Sequence, residues 1–502
     1  MLTAMKFFQN LSVISLSLLF VATTPAQEAK PDDKSGPIKY PMLSSLPADA
    51  HVVESIELNG RPLKYAATVG TLPVKNTEGK PTGEVVFTSY TVDAPNRPVT
   101  FAFNGGPGAA SVYLNLGAIG PKRVNFGAEG QSPSDPATLN DNPGTWLDFT
   151  DLVFIDPIGT GFSQSLVSPE ESKKLFYGPD QDIAYLSRIV YDWLVKNGRL
   201  ESRKYIVGES YGGYRGPRLT SYLQSKIGVA VNGLVLVSPA LSSDGGSADL
   251  SPIYWMETLP SIVAANYERQ GKLSAESMAP VIDYTRGEYA SDLLRGNSDP
   301  GATPRIVKKV TELTGLDAAF VRRAGGRLET QAFLREEFRE TGKLGSRYDP
   351  NVTAYDPFPF SPTQETNDPI LLSIIAPTTT AMVDFVTRTV GWKTDARYNA
   401  LSYEVGSAWD REGKGAFSGD AAASDLRVAV ATDPKLRVVI AHGWADLSCP
   451  FMGSVLTVSQ IPLMGDPTRV SVHEYPGGHM YYARTASSLA LRKDVLEMVN
   501  KH

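Results

Sequence analysis

Hydrophobic positions along the chain fall into two kinds of run. Val52 to Ile56, Leu63 to Val74, Glu84 to Val92 and Val99 to Phe103 are β-rich, punctuated by Asn59-Gly60 and the Thr77 to Gly83 stretch, and predict an antiparallel entry into a larger sheet. Leu152 to Ile155, Tyr205 to Val207, Leu234 to Val237 and Val438 to Ala441 are continuously apolar instead. Such runs suit strands buried on both faces of a parallel sheet covered by helices. The helix-like stretches Asp180 to Lys196 and Tyr214 to Lys226 lie between them, so the expected fold class is α/β.

From Ser243 to about Asp425 the buried-strand pattern stops. Helices are expected at Ala318 to Arg323, Thr330 to Arg339 and Pro377 to Val390, among loops bearing Pro, Asp and Gly. Because the apolar strand at Val438 resumes the earlier pattern, residues 243–425 read as a lid or cap inserted above one sheet, with residues 51–242 and 426–502 as the two parts of the core. The N-terminus has Lys6, an apolar run from Leu11 to Val21 and small residues up to Ala26, the layout of a cleaved secretory signal over residues 1–26. That run is too short to cross a bilayer, and no later segment is expected to be long and apolar enough to replace it. Residues 27–50, rich in Lys, Asp, Pro and Ser up to Leu46, read as a leader, with order beginning near His51.

Composition narrows the partners. The chain has 502 residues, 42% hydrophobic and 20% charged, which fits a globular protein with a sizeable core. A net charge of -6 provides no basic field for phosphates, so nucleic acid is not an expected partner. Cys449 is the only cysteine, leaving no intrachain disulfide; a bacterial periplasm or exterior suits such an exported chain. No H-E-x-x-H helix or Cys/His cluster occurs, so neither metal nor cofactor is expected.

The chemistry centres on Gly208-Glu209-Ser210-Tyr211-Gly212. With 44 glycines in the chain, about 0.3 G-x-S-x-G matches arise by chance, so context decides. Here the motif follows an apolar strand and precedes a helix-capable stretch, as a nucleophile elbow requires. A serine hydroxyl needs a base, and five histidines are available. His51 precedes the elbow, His502 is terminal, and His473 lies inside the strand-like Arg469 to Tyr475. His479, in the loop Pro476 to Met480, is the best base by elimination, while His442 reads as a hydrogen-bonded strand-end histidine. Asp446, after the strand ending at Ala441 and before His479, is in the right order to orient the imidazole. The Tyr211 amide and the Gly-rich loop Asn104 to Gly108 are candidate oxyanion donors.

Five blocks in order resemble the serine carboxypeptidase family. They are Asn104-Gly105-Gly106-Pro107-Gly108-Ala109-Ala110-Ser111; Asn142 to Trp146 leading to Pro157 to Ser163; Gly208 to Gly213; Ala445-Asp446-Leu447; and Gly477-Gly478-His479-Met480. The resemblance implies an α/β-hydrolase fold, a Ser210-His479-Asp446 triad and an oxyanion hole from the Gly106 and Tyr211 amides. It further implies release of C-terminal amino acids from peptides, with Asn104 and Glu209 recognising the terminal carboxylate. Recognition of one carboxyl by another requires a proton between them, so activity on peptides is expected to favour acidic pH. Cys449 and Met480 are candidate pocket residues on the same resemblance.

This sequence departs from the family pattern in three places. Ala102 stands where the family commonly has a Trp, Ala109 replaces a cysteine, and Ala118 stands where some relatives have a second glutamate. Carboxylate recognition is therefore less firmly implied than hydrolysis. An esterase, amidase or acyltransferase on the same triad is the alternative, and a non-catalytic binding protein on the hydrolase fold is a further one.

Overall fold

The four continuously apolar runs all become parallel strands of one sheet. In the computed structural model, residues 46–124, 132–134, 136–241, 251–361, 367–411 and 419–501 are described. The expected export signal and most of the leader lie outside them. The main strands are β1 (Ala50–Leu58), β2 (Arg61–Lys75), β3 (Pro81–Thr91), β4 (Val99–Phe103), β5 (Asp151–Ile155), β6 (Lys204–Glu209), β7 (Gly233–Val237), β8 (Arg437–Gly443) and β9 (Val470–Tyr475). They are ordered β1-β2-β3-β5-β4-β6-β7-β8-β9, and the two-residue strand Gln164–Ser165 pairs with β3. β1, β2 and β3 pair antiparallel, as the entry pattern predicts, and β3 pairs antiparallel with β5, whereas β4, the fourth run of that pattern, is a parallel strand between β5 and β6. From β5 to β9 every pairing is parallel.

Side-chain alternation divides the core into two layers. Phe101 and Phe103 face the layer formed by α1 (Pro179–Lys196), α2 (Tyr211–Tyr222) and α5 (Gly419–Thr432), whereas Ala102 faces the opposite one. Helix α1 has Pro179 in its first turn and buries Ile183, Leu186, Ile189, Val190 and Trp193, a helical-period stripe. Trp193 meets Phe101 edge-on at 5.5 Å and Phe87 at 6.5 Å. On the other face, α6 (Thr485–Asn500) contributes Leu491, Val495 and Met498. A third cluster joins α3 (Pro252–Arg269) and the helices after it to Trp444, Leu447 and Phe451. The inserted helices thereby rest on the chain that leaves β8.

Two expectations are corrected. Helix α4 (Pro369–Asp384) starts eight residues before the expected Pro377, capped by the Asp368 carboxylate, which accepts the Ile370 N–H at 3.0 Å. Pro377 sits inside it, so the apparent starting proline is an interior one. Together with its continuation to Thr389 it makes a 21-residue helix of mean hydropathy 1.6, long and apolar enough to span a membrane, contrary to the expectation that no later segment would be. Ile374, Ala381, Met382, Phe385 and Val386 instead pack into the core layer that contains Ala102.

Candidate active site

Ser210 stands at the turn between β6 and α2 with φ 59° and ψ -120°, backbone angles disfavoured for a residue with a side chain. The turn closes because its flanking glycines lack side chains: a Cβ on Gly208 would strike the Gly212 carbonyl, and one on Gly212 the Phe103 carbonyl. The Ser210 N–H donates to Val237 O at 2.9 Å, and its carbonyl accepts from Gly213 at 2.8 Å and Ala240 at 3.1 Å. These bonds hold the strained residue at the carboxyl ends of β6 and β7. Such backbone strain costs roughly 1–3 kcal/mol, which the surrounding contacts must offset.

Parallel register brings the remaining groups to the same edge. Asp446 follows β8 and is fully buried; its Oδ1 accepts the Ser448 and Cys449 amides at 2.7 and 3.0 Å, and its Oδ2 lies 2.7 Å from His479 Nδ1. His479, in the loop after β9, is 1% exposed. Its N–H donates to Tyr348 O at 2.5 Å, its carbonyl accepts from Ser238 Oγ at 2.8 Å, and its ring meets the Tyr348 ring edge-on at 5.0 Å. Three contacts thus fix the imidazole, with Nδ1 committed to Asp446.

The other ring nitrogen, Nε2, lies 3.4 Å from Glu209 Oε1. Glu209 Oε2 accepts from Asn104 Nδ2 at 3.0 Å, while Asn104 Oδ1 accepts the Leu114 amide at 2.9 Å. Burial raises the Glu209 pKa, with the Asp446 charge adding to the rise. Burial opposes the charged form of His479, but Asp446 and Glu209 outweigh it and hold the imidazole pKa above its ordinary value. His479 is therefore poised between two carboxyl groups.

The structure brings Ser210, Asp446, His479, Asn104, Glu209 and Cys449 together. The Cys449 thiol shares a hydrogen bond with Ser210, and burial raises its pKa well above the usual value, keeping it a neutral thiol. Tyr211 opens α2, and Gly106, exposed at φ 99°, lies in the facing loop. Met480 is half-buried against the core. His442 is fully buried with Nε2 2.8 Å from Ser454 Oγ, its pKa pushed down to about 4 by burial, a hydrogen-bonded strand-end residue as expected. His473 contacts Ser471 and Asp494 within β9 and α6. Among the described residues, no group of three or more His, Cys, Asp or Glu could hold a metal ion.

Several residues around the site carried no sequence signal. Tyr348 and its neighbour Arg347 lie between β7 and β8, and nothing in their local sequence marks them. Arg215, one helical turn past the elbow, is fully buried; it ion-pairs with Asp182 at 2.6 Å, donates to Asn104 O at 2.6 Å and lies over the Tyr211 ring at 4.8 Å.

Residues 78–266 match the sequence pattern of the serine carboxypeptidase family. The span includes Asn104, Glu209 and Ser210 and ends before Asp446 and His479. Serine carboxypeptidase-like 26 of Arabidopsis thaliana is 28% identical over 235 residues, covering 45% of this chain and 49% of the plant protein. A pheromone-processing carboxypeptidase of Lodderomyces elongisporus is 28% identical over 209 residues, 40% of this chain and 27% of that protein. The chain thus aligns with about half of the plant relative's length and a quarter of the fungal one's. In three dimensions it resembles the crystal structure of a prohormone-processing carboxypeptidase from Saccharomyces cerevisiae, with TM-score 0.54 and 18% identity over 87% of this chain and 91% of that one. That likeness shows the α/β-hydrolase fold.

Proposed function

We propose that the protein is a serine-type carboxypeptidase that releases C-terminal amino acids from peptides. The observation that carries this reading is the placement of His479 between Asp446 and Glu209, directly beside the Ser210 elbow. In this reading His479 Nε2 takes the Ser210 hydroxyl proton as Oγ bonds to the scissile carbonyl carbon, and the Gly106 and Tyr211 amides stabilise the resulting oxyanion. The imidazolium then gives its proton to the amide nitrogen as the C–N bond breaks. Water, activated by the same nitrogen, hydrolyses the acyl-enzyme and regenerates Ser210.

Asn104 and Glu209 serve as recognition groups for the terminal carboxylate. The raised Glu209 pKa supports this, because a protonated Glu209 donates a hydrogen bond where an ionised one would repel. Mass spectrometry of a peptide library digested by wild type and Ser210→Ala tests the reading: single residues lost from free C-termini are expected, and only with wild type. Strong preference for peptide amides over free acids would favour the esterase or amidase alternative, for which Ala118 is the specific observation.

We also propose that residues 243–425 form a lid that shapes the substrate pockets. Tyr348, supplied by this segment against His479, supports that role. Export is supported by Lys6, the Leu11 to Val21 run and the small residues before Ala26, and a bacterial periplasm or exterior by the single cysteine.

A further inference from the structure

We propose that Arg347 is a specificity-determining residue that binds a carboxylate of the peptide substrate. The proposal rests on the carboxypeptidase reading and names a group that neither the sequence motifs nor the family match contains.

Arg347 lies in the segment after the short strand Lys343–Gly345, and its backbone is anchored on both sides. Its carbonyl accepts the Leu447 N–H at 3.0 Å, one residue past Asp446, and its own N–H donates to Asp368 Oδ2 at 2.9 Å. The side chain is exposed. Its guanidinium lies 5.1 Å from the Tyr348 ring centroid, with Nη2 3.3 Å from the Tyr348 hydroxyl, and the Tyr348 ring in turn meets the His479 ring at 5.0 Å. One aromatic ring separates this cation from the catalytic imidazole.

Other arginines near the site are already committed. Arg215 pairs with Asp182, and Arg484 with Glu268 and Asp349. Among the described residues, the Arg347 guanidinium has no carboxylate within salt-bridge distance. A guanidinium held over an aromatic face keeps its planar fork of donors available for a carboxylate. The residue released by a carboxypeptidase is one residue long, roughly 3.5 Å, so its carboxylate stays in the cleft that contains the imidazole. Glu209 brings no positive charge there, and one Asn104 N–H is spent on Glu209. Arg347 provides the missing charge.

A carboxylate can come from the chain end or from an acidic side chain, and three substrates separate them: a peptide acid ending in Gln, the same peptide amide, and its terminal Glu analogue. Arg347→Ala is expected to raise KM for the acid about 30-fold with a smaller change in kcat, collapsing the acid-over-amide preference, and Arg347→Lys to restore part of it. Loss of only the Glu-over-Gln preference would support the proposal with a side-chain carboxylate as ligand. Survival of both preferences in Arg347→Ala would overturn it. A wild type that labels with a fluorophosphonate at Ser210 yet cleaves no peptide acid removes the carboxypeptidase reading, and this proposal with it. In every variant, fluorophosphonate labelling of Ser210 reports whether the elbow has folded.

Discussion

His479 Nε2 faces Glu209 Oε1 at 3.4 Å, so the nitrogen that would receive the serine proton in the proposed mechanism also faces the buried glutamate. Each group raises the other's tendency to hold a proton or a charge. The two therefore titrate as a coupled pair.

The pH profile follows from that pairing. In the proposed mechanism hydrolysis needs neutral His479, whose pKa is raised, so activity is expected to fall as pH drops through it. Binding a peptide acid needs protonated Glu209, also raised, so kcat/KM falls again as pH rises through that value. In Glu209→Gln the alkaline fall for peptide acids is expected to shrink from about tenfold or more to about threefold or less. The acidic limb is expected to stay close to its wild-type position, because Glu209 is already uncharged there. Superimposable profiles for wild type and variant would refute the assignment.

Asp446→Asn tests the orienting carboxylate. Asp446 accepts from two backbone amides through Oδ1 and faces His479 through Oδ2. An asparagine can accept on only one side, so it either loses the turn or presents an N–H to Nδ1 and selects the wrong tautomer. We expect kcat to fall by about 10⁴ with little change in melting temperature. A loss below tenfold would mean that the imidazole is oriented by other contacts.

Gly105→Ala tests how closely the donor loop approaches the elbow. A Cβ there would stand 2.5 Å from Tyr211 N and 2.8 Å from both Glu209 O and Ser210 Cβ. Two of these are backbone atoms and none lies at the end of a flexible side chain, so the Asn104 to Gly108 loop must retreat. The expected result is a drop in kcat of about 100-fold or more, measured with melting curves that show retained fold. Wild-type kcat would show that the loop's position is not critical.

Arg215→Met leaves Asp182 buried without its partner and deprives Asn104 O of a donor. Loss of about 3–5 kcal/mol in urea unfolding is expected. The double variant Asp182→Leu/Arg215→Met is expected to recover much of that stability while activity stays low, since the Asn104 carbonyl still lacks its donor. Equal recovery of stability and activity would assign Arg215 to packing alone.

The strands were legible in the sequence because burial on both faces leaves an uninterrupted apolar run, and β5 to β8 each carry one. The convergence of Asp446 and His479 on the Glu209-Ser210 turn was legible because loop residues beside glycines and strand ends have few structural reasons to take that order. Helix α4 was misread at its start because Pro377, which resembles a helix opening, occupies an interior turn where the core layer holds the chain helical. Arg347, Tyr348 and Arg215 were invisible for a different reason. Their roles depend on contacts between distant segments, and side-chain identity alone carries no trace of them.

The order of the strands also has a consequence for synthesis. Ser210 emerges between β6 and α2, but the acid and base of the proposed triad, Asp446 and His479, arrive only after β8 and β9, which add successively beyond β7. A chain growing from the N-terminus thus carries the nucleophile for more than half its length without a partner to activate it. Until β8 docks, the unpaired edge of β7 is exposed and apolar, an invitation to aggregate. Under the proposed mechanism, hydrolytic competence is gained only late, once both of the last parallel strands have joined the sheet.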